Sequence, residues 1–216
     1  MATPFSEISE IMYLLMQQSD VYNKMNENIA LDTISKYILM GATVDFTVCK
    51  KDLEKYTPYK EFSNIITISE DVTSISIDIN NVNDNKCKDN VILYINDIII
   101  DMNKYSYIVN DNTIVVEYDF KKDDKVEVIN YFEGEFDEDL SYREKYIIAL
   151  ASYLHYLDGK QVIENKMINK LGDKDYSIVR GNTLSEILKT QTKTRDTLRI
   201  YLKEYDQNNS EIEDLI

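Results

Sequence analysis

The chain has 216 residues, 44% hydrophobic and 29% charged. That suits one folded core with room for a small second unit and excludes a disordered polypeptide. Its 39 acidic against 24 basic residues give a net charge of -15, a surface that repels nucleic-acid phosphate and anionic membrane.

The opening MATPFSEISEIMYLLMQQ has no basic leader and no small-residue cleavage site, so it reads as a helix and not as a signal peptide. Thr3 is placed to cap it, with Pro4 at the first helical position. Phe5, Ile8, Met12, Leu15 and Met16 recur at helical spacing. QQSDVYNKMNEN is polar and reads as a connection. Leu31, Ile34, Ile38, Ala42 and Phe46 predict a second helix that reaches toward Cys49, with KKDLEKY continuing or following it. Residues 1–63 are thus expected to form two or three helices of a bundle.

After Pro58 the signal changes. NIITISEDVTSISIDINNV is β-branched and alternating, and Ile75, Ile77 and Ile79 fall on one strand face. NNVNDNKCKDN reads as a surface turn or loop. Further strands are predicted over Val91–Ile95, Ile98–Asp101, Tyr105–Val109, Thr113–Tyr118 and Val126–Phe132. The turns IND, DMNK, NDN and FKKDD are rich in Asn and Asp, which tolerate turn conformations. Strands this short with turns this tight pair antiparallel, because parallel strands need long crossovers. Residues 64–136 are expected to be a small β-domain, sandwich-like or partly barrel-like.

Helix returns over 137–206. SYREKYIIALASYLHYLDGK begins with a capping box, Ser141 with Glu144 three residues on. Ile147, Leu150, Ala151, Leu154 and Leu157 form the stripe, which Ile148 and Tyr153 broaden, and Gly159 is the expected stop. QVIENKMINKLGDKDYSIV predicts a shorter helix, or a helix and a turn. Thr183 and Glu186 repeat the capping box before a helix to Tyr205 with Leu184, Ile187, Leu188, Gln191, Arg195, Leu198 and Leu202 in period. Its opposite face carries Lys189, Lys193, Arg199 and Lys203, the densest basic positions in an acidic chain. Residues 207–216 form an acidic tail able to dock on a partner through Ile212, Leu215 and Ile216. The fold class is α+β: a helical bundle with an antiparallel β-domain inserted between its N- and C-terminal helices. Loop tips accept such insertion when the ends of the insert lie close together.

Chemistry is sparse. The two cysteines, Cys49 and Cys87, show no ligand spacing and no disulfide framework, and point to a reduced, cytosolic protein. His155 is the sole histidine and has no sequence partner for acid–base work. Cys49 lacks an activating motif. Glu133 and Glu135 share a strand face only if the last strand runs that far. DINNVNDNK from Asp78 invites a calcium reading, but Val82 takes a ligand place and the central Gly is missing. The isolated glycines of GNT and GDK make no phosphate loop. The threonines of TQTKTRDT either bridge helices or face solvent. No apolar run approaches the ~20 residues of a membrane helix. No catalytic, metal or cofactor-binding residue is assigned, no cofactor is expected, and the chain does not read as an enzyme. The 17 tyrosines with no Trp fit either an AT-rich coding bias or wet interfaces.

Three stretches carry a family resemblance: MATPFSEI, FTVCKKDLEKY, and the C-terminal run from EFDEDLSYREKY to YLKEY, with ALASYLHYL and DKDYSIV inside it. Across the first quarter and last third, the chain resembles head–tail connector, adaptor or neck proteins of tailed phages and phage-tail-like particles of low-GC Gram-positive bacteria. The β-block is similar to small β-domains inserted in virion proteins. The resemblance implies a structural virion protein, made in the host cytoplasm and placed at the head–tail junction. It implies a ring with copies of itself, commonly twelve or else six, touching the portal and neighbouring neck or tail proteins. Genomic DNA would pass through without sequence recognition, and no membrane is involved. Two alternatives stay open. One is a tail, sheath-initiating or baseplate component. The other is a carbohydrate- or ligand-binding module using Tyr94, Tyr105, Tyr107 and Tyr118.

Overall fold

The computed structural model describes residues 2–18, 30–78, 90–100, 106–110, 113–171 and 174–213. The chain divides into two compact units, Met1–Pro58 with Glu133–Ile216, and Tyr59–Phe132. The fold is α+β, with helices in the first unit and an antiparallel sandwich in the second.

In the first unit, α1 (Phe5–Gln17) buries Phe5, Ile8, Ile11, Met12 and Met16, an i, i+3, i+4 stripe. Thr3 does not cap it. Pro4 occupies the cap position, while Thr3 belongs to a two-residue strand, β1 (Thr3–Pro4). The Thr3 hydroxyl donates to the Glu138 carbonyl at 2.8 Å and accepts the Leu140 N–H at 2.8 Å. A long-range partner has taken the hydroxyl that a local cap would use. The second helix, α2 (Leu31–Met40), stops short of Phe46 and gives way to a π-helical turn, Gly41–Asp45, closed by Phe46 N–H to Gly41 O at 3.1 Å. Gly41 is required there: a Cβ would lie 2.9 Å from the Ile148 carbonyl and the Ser152 nitrogen of the next helix.

That helix, α3 (Tyr142–Leu171), is the hub, packed on by α1, α2, the π turn and the last helix, α4 (Lys174–Glu213). The predicted stripe is buried, and so are Ala149, Ser152 and Tyr156 between its members. A helix with partners on several sides needs apolar residues around most of its circumference, not one stripe. The capping box at Ser141 forms: its N–H and hydroxyl both donate to Glu144 Oε2 at 2.7 Å. The other helix signals are overridden. Gly159 lies inside α3, where the Tyr37 hydroxyl is 3.1 Å from the place of its missing Cβ. Thr183 and Glu186 lie inside α4, not at its start, and α4 passes Tyr205 and enters the expected tail.

Three ties set the direction of α4. Arg143 meets Glu204, Glu144 meets Tyr205, and Asp158 meets Gln191, each at 2.8 Å. From residues 143 and 144 to residue 158 of α3 the partner in α4 falls from 204 and 205 to 191, so the two helices are antiparallel. The same register carries about the last six residues of α4, or ~9 Å, past the start of α3.

The first unit also holds a small sheet that periodicity could not reveal. β1, β2 (Tyr56–Thr57) and β10 (Glu135–Phe136) pair in the order β1-β10-β2. Thr57 stands opposite Glu135, so the two chain crossings to the second unit lie side by side. Gly134, at φ 101°, makes the bend, and a Cβ there would sit 2.6 Å from the Phe5 ring.

The second unit packs a four-stranded sheet, β3-β9-β5-β6, against a three-stranded sheet, β4-β8-β7. The strands are β3 (Lys60–Thr67), β4 (Val72–Asp78), β5 (Val91–Ile95), β6 (Ile98–Ile99), β7 (Ser106–Asn110), β8 (Thr113–Phe120) and β9 (Lys125–Phe132). Leu93, Ile95, Val126 and Val128 of one sheet meet Ile77, Val116 and Phe120 of the other. The unit opens at Tyr59, not Asn64, and closes at Phe132, not 136, because β3 pairs with β9 along its whole length, from Lys60↔Phe132 to Thr67↔Lys125. The IND turn places Asn96 and Asp97 at φ 53° and 64°, the two left-handed residues of a tight hairpin. Asn96 is held there by hydrogen bonds to Asp124 and the Lys125 N–H, both at 2.9 Å. Ile79, Cys87, most of the DINNVNDNK segment and Tyr105 lie outside the described residues.

Candidate functional site

The predicted interface residues fall on α4. Lys189, Lys193, Arg199 and Lys203 are all exposed. At 100° per residue, Lys189, Lys193, Ile200 and Lys203 share one face and Arg199 lies about a quarter turn away. Ile200 is 58% exposed on that face, and Leu188, 42% exposed, lies on the Arg199 side of the helix. Arg199 reaches Asp196 at 3.9 Å, whereas Lys189, Lys193 and Lys203 make no ion pair among the described residues. The threonines do not bridge helices: Thr190, Thr192 and Thr197 each donate to a carbonyl four residues back in α4. Ile212 lies in the helical backbone of α4, and Leu215 and Ile216 lie outside the described residues.

Behind this face, α1, α3 and α4 enclose a cleft of about 150 Å³. Leu150, Tyr153 and Thr194 are its buried floor, with Leu15 and Tyr146 on its walls and Lys193 on the rim. An aromatic track leads out of it. Tyr146 packs on Tyr201 at 5.0 Å and on Tyr142 at 6.5 Å, and Tyr142 is 71% exposed. The cleft combines an apolar floor, phenol hydroxyls and one unpaired ammonium, which suits an apolar group that carries negative charge nearby.

A second cluster ties the helical unit together. Glu144 is buried, yet it accepts from Lys51 Nζ at 2.7 Å, the Ser141 N–H and hydroxyl, and the Tyr205 hydroxyl at 2.8 Å. Lys51 also donates to the Asp139 carbonyl. Burial opposes the charge on Glu144, but these donors outweigh it, and its carboxyl titrates below the usual range. Burial and the bond to Glu144 drive the Tyr205 phenol far above its ordinary value. Cys49 lies 3.9 Å from the Tyr205 oxygen, and burial pushes its thiol up, which disfavours the nucleophilic thiolate. The arrangement is a clamp in which a loop, a helix start and the last helix share one carboxylate. The capping box marked Glu144 as local to α3, but nothing near Lys51 or Tyr205 in sequence marked them as its partners.

The sequence left His155 without a partner, and the fold supplies one. Asp45, the last residue of the π turn, places Oδ2 2.6 Å from His155 Nε2. This hydrogen bond raises the imidazole pKa above its ordinary value against the opposing effect of burial. Glu133 and Glu135 do not share a strand face, since β9 ends at Phe132 and Gly134 turns the chain between them. Of the four tyrosines of the platform reading, Tyr118 packs against the sandwich core 5.1 Å from Phe120, and Tyr94 points to the opposite side of its own strand from the core residues Leu93 and Ile95, while the side chains of Tyr105 and Tyr107 lie outside the described residues. Among the described residues, no three His, Cys, Asp or Glu side chains are grouped to hold a metal ion, and no helix is long and apolar enough to cross a membrane. No family model, curated protein or solved structure matches this chain.

Proposed function

We propose that the protein is a structural assembly subunit, and specifically a head–tail connector or neck protein that forms a ring between portal and tail. The observation that carries this reading is the face of α4. From Lys189 to Lys203 five bases stand against one acid, for +4, which leaves -19 on the rest of a chain whose net charge is -15. Lys189, Lys193 and Lys203 spend that charge on nothing within the described fold, and exposed Ile200 lies among them. Complementary charge around an apolar centre steers docking of large parts and fixes their register. A rigid helical hairpin makes a repeatable wedge, and its ring would close through head-to-tail contacts. A predominantly acidic surface would let DNA pass without tight phosphate contacts. The reading requires no catalytic step.

The test is native mass spectrometry of purified particles. The expected result is this chain at six copies or a multiple of six. Its absence from mature particles ends the proposal. Reversal of Lys189, Lys193 and Lys203 to Glu is expected to leave folding intact and to yield unjoined heads and tails by electron microscopy.

A further inference from the structure

We infer that the cleft between α1, α3 and α4 receives the acidic C-terminal segment Glu211–Ile216 of a second copy of the chain. This rests on the reading of the protein as an assembly subunit and names one partner for the face already described. Three observations meet here. The first is chemical. The cleft has an apolar floor of Leu150 and Tyr153 and opens toward Lys193, with Lys189 and Lys203 further along the same face of α4. The segment presents Ile212, Leu215 and Ile216 at i, i+3, i+4 spacing, interleaved with Glu211, Glu213 and Asp214 and no base. That is the pattern by which an amphipathic segment seats its apolar face in a groove.

The second is steric. The cleft's volume of about 150 Å³ has room for a leucine-sized side chain, and the Tyr146–Tyr201 and Tyr142 track extends the apolar floor beyond it. Leu215 is the central anchor, flanked by Ile212 and Ile216.

The third observation excludes the segment of the same molecule. α4 remains helical to Glu213. Its axis carries that residue ~24 Å beyond Thr197, the nearest cleft residue to the helix end. Asp214–Ile216 span ~10 Å even when fully extended, so they cannot fold back to the cleft. The occupant must come from another copy. The contact is then heterologous, with segment and cleft on different parts of the surface, and each copy can give one and receive one.

Sedimentation velocity of the full chain at rising concentration tests this, with circular dichroism confirming that each variant is folded. The full chain is expected to self-associate, and salt should weaken the association because the lysine–carboxylate attraction is screened. Lys193→Glu in the cleft, and separately Leu215→Asp in the segment, should each weaken it by about tenfold or more. Mixing the two variants is the decisive arm. The Lys193→Glu copy still has an intact segment and the Leu215→Asp copy an intact cleft, so the mixture should form one-to-one pairs that neither variant forms alone. A synthetic peptide of Ser210–Ile216 should compete with association of the unmodified chain. A full chain that stays monomeric, or association that neither variant changes, or no pairing in the mixture, overturns the inference. A monomer in solution that still appears in particles at a multiple of six would remove this contact alone. Salt-sensitive association by a chain absent from particles would remove the connector reading alone.

Discussion

Replacing Glu144 by Gln keeps the shape of the side chain and removes its charge. In the native protein that carboxylate is 4% exposed and accepts from Lys51, Tyr205 and both donors of Ser141. Hydrogen bonds to a charged group contribute about 1.5–3 kcal/mol each. The Lys51 side chain is 30% exposed, so water screens its share and places it at the low end. Glu144→Gln should therefore cost about 2–4 kcal/mol at pH 7, most of it from the Lys51 and Tyr205 interactions. Tyr205→Phe should cost less, since it removes one donor and leaves the Lys51 pair in place. The assay is urea unfolding followed by helical circular dichroism, read across pH. The folded-state pKa of Glu144 is depressed, so its contribution is fully present above the unfolded value of about 4.3 and is lost as pH falls through the folded value below that. The penalty of Glu144→Gln should stay level from neutral pH down to about 4.5 and shrink below it. A penalty that stays unchanged well below pH 4, or none at pH 7, would refute the argument that the charge holds this clamp.

Three further outcomes are expected. The His155 pKa is raised by Asp45, so the pair stabilises the fold fully below the unfolded histidine value of about 6.5, and that stability is lost as pH rises through the higher folded value. The sole imidazole gives a clean NMR titration, and Asp45→Asn should bring its midpoint down. Gly134→Ala forces a β-carbon into a positive-φ position against the Phe5 ring and should cost about 2–4 kcal/mol by chemical denaturation, with loss of the β1–β10 pairing. Excision of Tyr59–Phe132 in favour of a short Gly/Ser linker should leave a cooperatively melting helical protein, because Thr57 and Glu135 are already paired across the gap. Wholesale loss of helical signal on excision would show that the helical unit depends on the sandwich.

Signals confined to a few neighbouring residues could be read directly. Alternating Ile and Val with Asn/Asp turns marked β5, β8 and β9 to within a residue or two of their ends, because strand and turn preferences act over that distance. The Ser141–Glu144 box marked the start of α3 for the same reason, and the lysine face of α4 follows from spacing alone. Local signals failed wherever a distant partner offered more. Thr183 can cap only if the chain breaks helix before it, and continuous helix from Lys174 removes that need. Gly159 can end a helix only by leaving helical conformation, and packing beside Tyr37 keeps it inside α3. Thr3, Glu144 and His155 took partners 135, 61 and 110 residues away. Such pairings have no period and no motif. They exist because a buried hydroxyl or carboxylate, or a half-buried imidazole, must find a hydrogen-bond partner among whatever the packed elements place beside it, and only the tertiary fold decides which residues those are.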